Sequence, residues 1–451
     1  MKSIRRLLGY GNANLRGCAG ALCAWGMAER NSQMDENLGM KKAYYGVIGL
    51  CGLLLGVTCM GCSALMNALL PFVRDTLKLT QTQSAFLTTV RQLFIVFSTL
   101  IMDKYFKALG VRWGAALAFC FASASGMLFG LSTSYLIAVF ASALNGIGFG
   151  LGGAMAVAVL MNAWFDKGRG LMIGISVAGS ALTGALLSVP IARVARAEGL
   201  YAAGRLWAVL FLCFTIFYVI CVRNKPSDVG LVRYGEGEGK TKKSRRIQRE
   251  PAAPMDSTGA LLLVILGLCC GIPAFTLQGS FSLATTHMGY EKVSVAAAMA
   301  LNGVLGIVGK SLYGICCEKI GAVKTAIIYF LGTSMACLTL VIFCNGTAVM
   351  PLYAAAMLIG FFLHPTSTVG YAMWSGDIAN QEDYMKTLKK IQSMSVIAGL
   401  VFQTLPGIIA DMVGSYKPMY FVHIASYVVA FVCILTLYRR YAGKIIRKDN
   451  A

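Results

Sequence analysis

AMALNGVLGIVGKSLYGICCEKIGAVK, residues Ala298–Lys324, reads as an apolar helix carrying one full charge, Lys310, about halfway across a bilayer. It closes in a polar turn, Glu318-Lys319-Ile320-Gly321-Ala322-Val323-Lys324. A lone ammonium in hydrocarbon costs on the order of several kcal/mol, so this span needs a partner for its charge.

The rest of the chain has the same character. Of 451 residues, 57% are hydrophobic and only 13% charged, against about 25% charged in soluble domains. Twelve spans are predicted, at about 44–70, 82–101, 112–132, 135–163, 170–192, 204–222, 259–282, 294–316, 325–344, 350–374, 389–411 and 418–438. The expected fold is therefore an all-α integral membrane protein with twelve transmembrane helices in two six-helix bundles. The segments are a tail at 1–42, a bundle at 43–222, a linker at 223–258, a second bundle at 259–438 and a tail at 439–451. The linker, rich in Pro, Gly, Lys and Arg, reads as a flexible connector.

A net charge of +21 could suggest nucleic acid, but its distribution excludes that reading. With the N-terminus inside, inner segments hold 31 of the 40 Lys and Arg, outer loops hold 7, and Arg91 and Lys310 lie within spans. This bias places both termini in the cytoplasm of a multi-pass protein of the cell membrane. The fifteen Cys lie mostly in spans and read as small apolar residues. The glycine-rich run Asn145–Gly153 reads as close helix packing, not as a nucleotide loop. No cofactor or metal is expected, and the bilayer is the expected surrounding of a functional monomer.

The two halves repeat weakly. Asp103-Lys104, then Gly110-Val111-Arg112, follows span 2, and Glu318-Lys319, then Gly321-Ala322-Val323-Lys324, follows span 8. These paired turns in a 6+6 chain resemble the signature of the major facilitator superfamily, over about residues 44–438. The first copy has a longer insert before its glycine. NAWFDKGRGLMIGI (162–175), followed by Ala178-Gly179-Ser180, is similar to a segment of the oxalate/formate antiporter and monocarboxylate porter branch. NKPSDVGLVRYG (224–235) resembles the same branch after span 6. In that branch span 8 carries a substrate-binding Arg in Gly-Arg-x-x-x-Gly; the matching residues here are Gly309-Lys310-Ser311-Leu312-Tyr313-Gly314. The antiporter's second base lies in span 11, which here has none at mid-span.

Arg91 precedes Asp103 by 12 residues and Lys310 precedes Glu318 by 8, which puts them about 18 and 12 Å inside, one from each half. No Asp or Glu lies deep in any span to neutralise them. An anionic substrate would supply the compensating charge. Thr88, with Ser84 and Ser98, gives the Arg91 helix a polar stripe. Tyr313 lies below Lys310. Gln278 and Gln403 either line the cavity or bond between helices. His364, at a kink with Pro365, is either a proton carrier or a satisfied packing residue. Tyr371 and Trp374 read as an inner gate or an aromatic belt, and His423 as peripheral. Asp103, Lys104, Arg169, Glu318 and Lys319 are expected at the inner gate, latched by ion pairs and helix-end dipoles.

The expected function is secondary active transport of a small organic anion, a mono- or dicarboxylate, by alternating access and by exchange. Proton-coupled symport, efflux of another solute and a non-transporting membrane sensor are the alternatives. An enzyme is not expected, since the three His are scattered.

Overall fold

The computed structural model describes residues 43–235, 256–379 and 383–442. Twelve helices in them are long and apolar enough to cross a membrane. The first six are α1 (Ala43–Leu77), α2 (81–109), α3 (111–130), α4 (Tyr135–Trp164), α5 (Arg169–Ala197) and α6 (Leu200–Cys221). The second six are α7 (Ser257–His287), α8 (Lys292–Ile320), α9 (Ala322–Ile342), α10 (Val349–Ile378), α11 (Lys386–Val413) and α12 (Lys417–Tyr441). Without water, backbone groups must bond within each helix. Hydroxyls do likewise: Thr58, Ser142, Thr276 and Thr333 each bond the carbonyl four residues back.

Close helix approach rests on glycine. A Cβ on Gly56 of α1 would lie 1.9 Å from the Ser176 carbonyl oxygen of α5. Here α1 is π-helical over Gly56–Met60, and the Val57 carbonyl accepts from the Thr183 hydroxyl at 2.6 Å. We expect Gly56→Ala to cost about 1–3 kcal/mol by forcing two backbones apart, seen as a lower melting temperature of the purified protein in detergent.

The halves repeat in strict register along α2 and α8. The helices begin at Gln81 and Lys292, and end at Gly110 and Gly321, whose φ values are 69° and 90°. The carbonyls of Arg91 and Asn302 are each approached by a glycine of a neighbouring helix, Gly146 of α4 and Gly360 of α10. All three pairs, 81/292, 91/302 and 110/321, are separated by 211 residues. No insert precedes Gly110. The acid-Lys pairs are therefore not equivalent, and Lys107 holds the place of Glu318.

Composition suggests a flexible linker, yet residues 223–235 are fastened to the first half. Asn224 accepts from the Arg112 amide at 3.0 Å, and the Trp164 indole donates to the Arg223 carbonyl. The Tyr234 amide donates to Trp164, and its carbonyl accepts from Asp166 and Lys167. The Lys240–Arg249 run, the N-terminal tail and the C-terminal tail beyond residue 442 lie outside the described residues.

At the start of α7, the Asp256 carboxylate accepts from the Tyr441 hydroxyl and the Gly259 amide. Both bonds, Tyr441's foremost, hold its carboxyl below the usual range. A depressed carboxyl stabilises the fold above its unfolded value, about 3.9, and loses that contribution as pH falls through the folded one. We expect the melting-temperature gap between wild type and Asp256→Ala to be constant from neutral pH to about 5 and to close below about 4.

Candidate functional site

The face that carries the linker and the opposite, distal face differ. Distally the halves are joined by several bonds. The Asp411 carboxylate of α11 accepts from the Gln81 and Thr82 amides at 3.0 and 2.8 Å, capping α2 across the interface. Thr89 bonds Thr404 at 2.6 Å, and the Tyr416 hydroxyl reaches Gln81 at 2.9 Å. Arg196 pairs with Glu291, and Asp75 with Lys292. α5 and α8 touch near Ala181 and Gly303, where a Cβ on Gly303 would lie 3.0 Å from the Ala181 carbonyl. Two to three turns toward the linker, on the same helix faces, Gly174, Gly170 and Gly314 face open space. The two helices splay toward the linker face.

Between the halves lies a cavity of about 390 Å³. Arg91 and Gln92 of α2 line it with Ser63 and Asn67 of α1 and Ser180 of α5. From the second half come Gln278, Asn302, Lys310 and His364. Phe149, Phe275, Phe281, Met299 and Val396 supply apolar wall. Arg91 is 8% exposed, and its Nε and Nη1 have no hydrogen-bond partner. The Asn67 side-chain oxygen, in a residue 5% exposed, is likewise unpartnered. No described carboxylate forms an ion pair with Arg91 or Lys310. Each unsatisfied buried group costs about 1–3 kcal/mol, more when charged; here the guanidinium N–H groups lack an acceptor and the Asn67 oxygen lacks a donor.

Four of the expected cavity residues, Arg91, Lys310, Gln278 and His364, are brought together here. The other three are not. Thr88 is buried with its hydroxyl on the Ala85 carbonyl at 2.6 Å, because a helical threonine satisfies itself locally when no ligand faces it. Gln403 is buried and donates to the Phe275 carbonyl at 3.3 Å, tying α11 to α7. Tyr313 is fully buried edge-on against Tyr329, with ring centres 4.7 Å apart. His423 is not peripheral: it is fully buried and bonded to Thr276 at 2.7 Å. Tyr371 bonds Ser395 and Trp374 packs on Phe330, both fully inside the second half.

His364 does lie at a backbone irregularity. π-helical turns at Ile359–Leu363 and Thr366–Gly370 flank it. Its carbonyl is taken by the Thr368 hydroxyl at 2.8 Å, and its Nε2 bonds the Asn302 side-chain oxygen at 2.8 Å. Asn302, Asn67 and Gln92 escape sequence reading because single amides in apolar spans are commoner as helix–helix bonds. The usable signal was Gln92's place beside Arg91.

The expected inner latch is not formed in this conformation. Lys104, Arg169, Glu318 and Lys319 are exposed at the linker face, and none forms an ion pair with a described residue. The side chain of Asp103 lies outside the described part. A latch of surface charges exists only while the two ends it joins are close, and here the distal face is the closed one. Among the described residues no group of three or more His, Cys, Asp or Glu is placed to hold a metal ion.

Residues 51–383 match the profile of the Major Facilitator Superfamily. Comparison with curated protein sequences gives no match. Among solved structures the chain is similar to a D-xylose-proton symporter, at 12% identity and TM-score 0.64, over 88% of this chain and 98% of that one. It is also similar to a bacterial homologue of the human lysosomal transporter Spinster, solved inward-facing and unoccupied, at 12% identity and TM-score 0.65 over the same shares. Twelve apolar helices, a cavity between two halves that are joined at the distal face, and a family profile spanning most of the chain lead to one conclusion. This chain belongs to the major facilitator superfamily and is a multi-pass membrane protein, a secondary transporter working by alternating access and not an enzyme.

Proposed function

We propose that this transporter carries a small organic anion, a mono- or dicarboxylate, and that it works as an exchanger. One observation carries the reading: Arg91 and Lys310 face one cavity from opposite halves, and no described carboxylate pairs with either. A cation left uncompensated in a site about to be occluded opposes closure. A carboxylate that binds between the halves removes that opposition. The loaded carrier then crosses faster than the empty one, which is the kinetic condition for exchange. The charge bias of the loops puts the linker face in the cytoplasm, so the open cavity faces inward, in the cell membrane.

Counterflow in proteoliposomes with a panel of labelled mono- and dicarboxylates tests this. We expect trans-stimulated uptake of at least one carboxylate, and none of matched neutral or cationic solutes. Uptake of a neutral or cationic solute with no carboxylate transported would overturn the reading.

A further inference from the structure

The two cations of the cavity lie at different depths. The repeat register pairs Arg91 with Asn302, and Lys310 follows Asn302 by eight residues on α8. Eight residues advance about 12 Å along a helix axis. Both helices run from the distal to the linker face, so both Cα–Cβ bonds tilt the same way and the offset is not cancelled. The interval is filled in an orderly way. A Cβ on Gly306, midway between Asn302 and Lys310, would lie 2.9 Å from Cδ2 of His364. The imidazole therefore lies over that glycine, held by its bond to Asn302. The cavity has a distal pole made of Arg91, Asn67 and Asn302, and a linker-side pole made of Lys310. Phe275, Met299 and Val396 line the same cavity with apolar surface.

We propose that the preferred substrate is a long-chain α,ω-dicarboxylate, with one carboxylate on Arg91, the other on Lys310 and the methylene chain along the apolar wall. This rests on the anion reading above and narrows it. A short diacid reaches one pole and leaves the other cation bare. A monocarboxylate does the same. A diacid of the length of adipate or suberate neutralises both, and its chain replaces water against the apolar lining. The Arg91 guanidinium has no protein acceptor at Nε or Nη1, and the planar fork of a guanidinium suits two-point capture of a carboxylate.

The test uses the full chain in proteoliposomes and a homologous series of labelled diacids from oxalate to azelate, with hexanoate and octanoate alongside. Adipate and suberate are expected to show a transport efficiency at least about tenfold above oxalate and succinate, the worth of one charge-assisted contact. Lys310→Gln should erase the advantage of each diacid over the monocarboxylate of equal length. The double variant Asn302→Lys, Lys310→Gln brings both cations to one depth and should move the optimum to shorter diacids. That gain is one a misfolded variant cannot show. A wild-type optimum at oxalate or succinate, or an optimum unmoved in the double variant, overturns this inference and leaves the anion reading standing. Transport of no carboxylate at all sinks the anion reading, and this one with it.

Discussion

Replacing Arg91 by Met is expected to lower carboxylate counterflow about 10- to 100-fold while raising the melting temperature of the empty protein. The two effects come from one cause. The guanidinium is buried with Nε and Nη1 unpartnered, so its desolvation is not repaid in the unloaded state. Even a buried ion pair can be replaced by well-packed apolar side chains with a gain of roughly 1–4 kcal/mol, and an unpaired charge has no partner to lose. The same charge is the substrate's partner at the distal pole. Losing it removes a charge-assisted contact of about 1.5–3 kcal/mol, which is about 10- to 100-fold in affinity. Thermal shift with and without substrate, beside counterflow, separates the two effects. If Arg91→Met lowered stability and left transport intact, Arg91 would be a structural residue and the site would have to be centred elsewhere. Lys310→Ala is expected to lower dicarboxylate transport about tenfold, to the level of the monocarboxylate of equal length, and Lys310→Arg to keep part of the difference because the charge remains.

The second large effect is expected at Asp411. Of the bonds that close the distal face, Arg196–Glu291 and Asp75–Lys292 join partly exposed side chains. Such pairs contribute about 0–1 kcal/mol. Asp411 does something different. Its carboxylate sits on the first two amides of α2, where the helix dipole favours negative charge, and it does so from the other half of the molecule. Gly407, one turn earlier on α11, lets the backbone approach: a Cβ there would come within 2.6 Å of the Gln81 carbonyl oxygen. A cap of this kind is worth about 0.5–2 kcal/mol, but only while the distal face is closed. Asp411→Ala should therefore shift the population toward the distally open form by about 2- to 30-fold. Spin labels on the distal ends of α2 and α11 would report this as growth of a longer-distance population. An unchanged distance distribution would mean that apolar contact between the halves, not this cap, holds the face shut.

The residues explain where sequence reading succeeded and where it failed. A run such as Ala298–Lys324 has no soluble fold available, so span number and loop charge were legible without a structure. So was the missing counter-charge, because an absent mid-span carboxylate is a property of composition. Helix ends were less legible. α1 runs on to Leu77 through Pro71, and α2 keeps helical bonding through Asp103–Leu109 until Gly110, since polar side chains at a membrane surface do not oblige a helix to stop. The acid-Lys turns looked equivalent because their charges matched, whereas their register from Gly110 and Gly321 differs by four residues, one full turn.

By itself the sequence determined the membrane class, the twelve spans, the two-fold repeat and the presence of two cations that the spans leave unpaired. These follow from hydropathy and charge, which are additive along a chain. Tertiary structure alone decided which polar residues share the cavity and which are spent on helix contacts, and why Asn302 rather than Lys310 is the counterpart of Arg91. It also decided which face is shut. Those outcomes depend on helix rotation and register. A glycine such as Gly146 or Gly360 fixes both by letting two backbones meet at one place, and the distance between such contacts is not written in the composition of either helix.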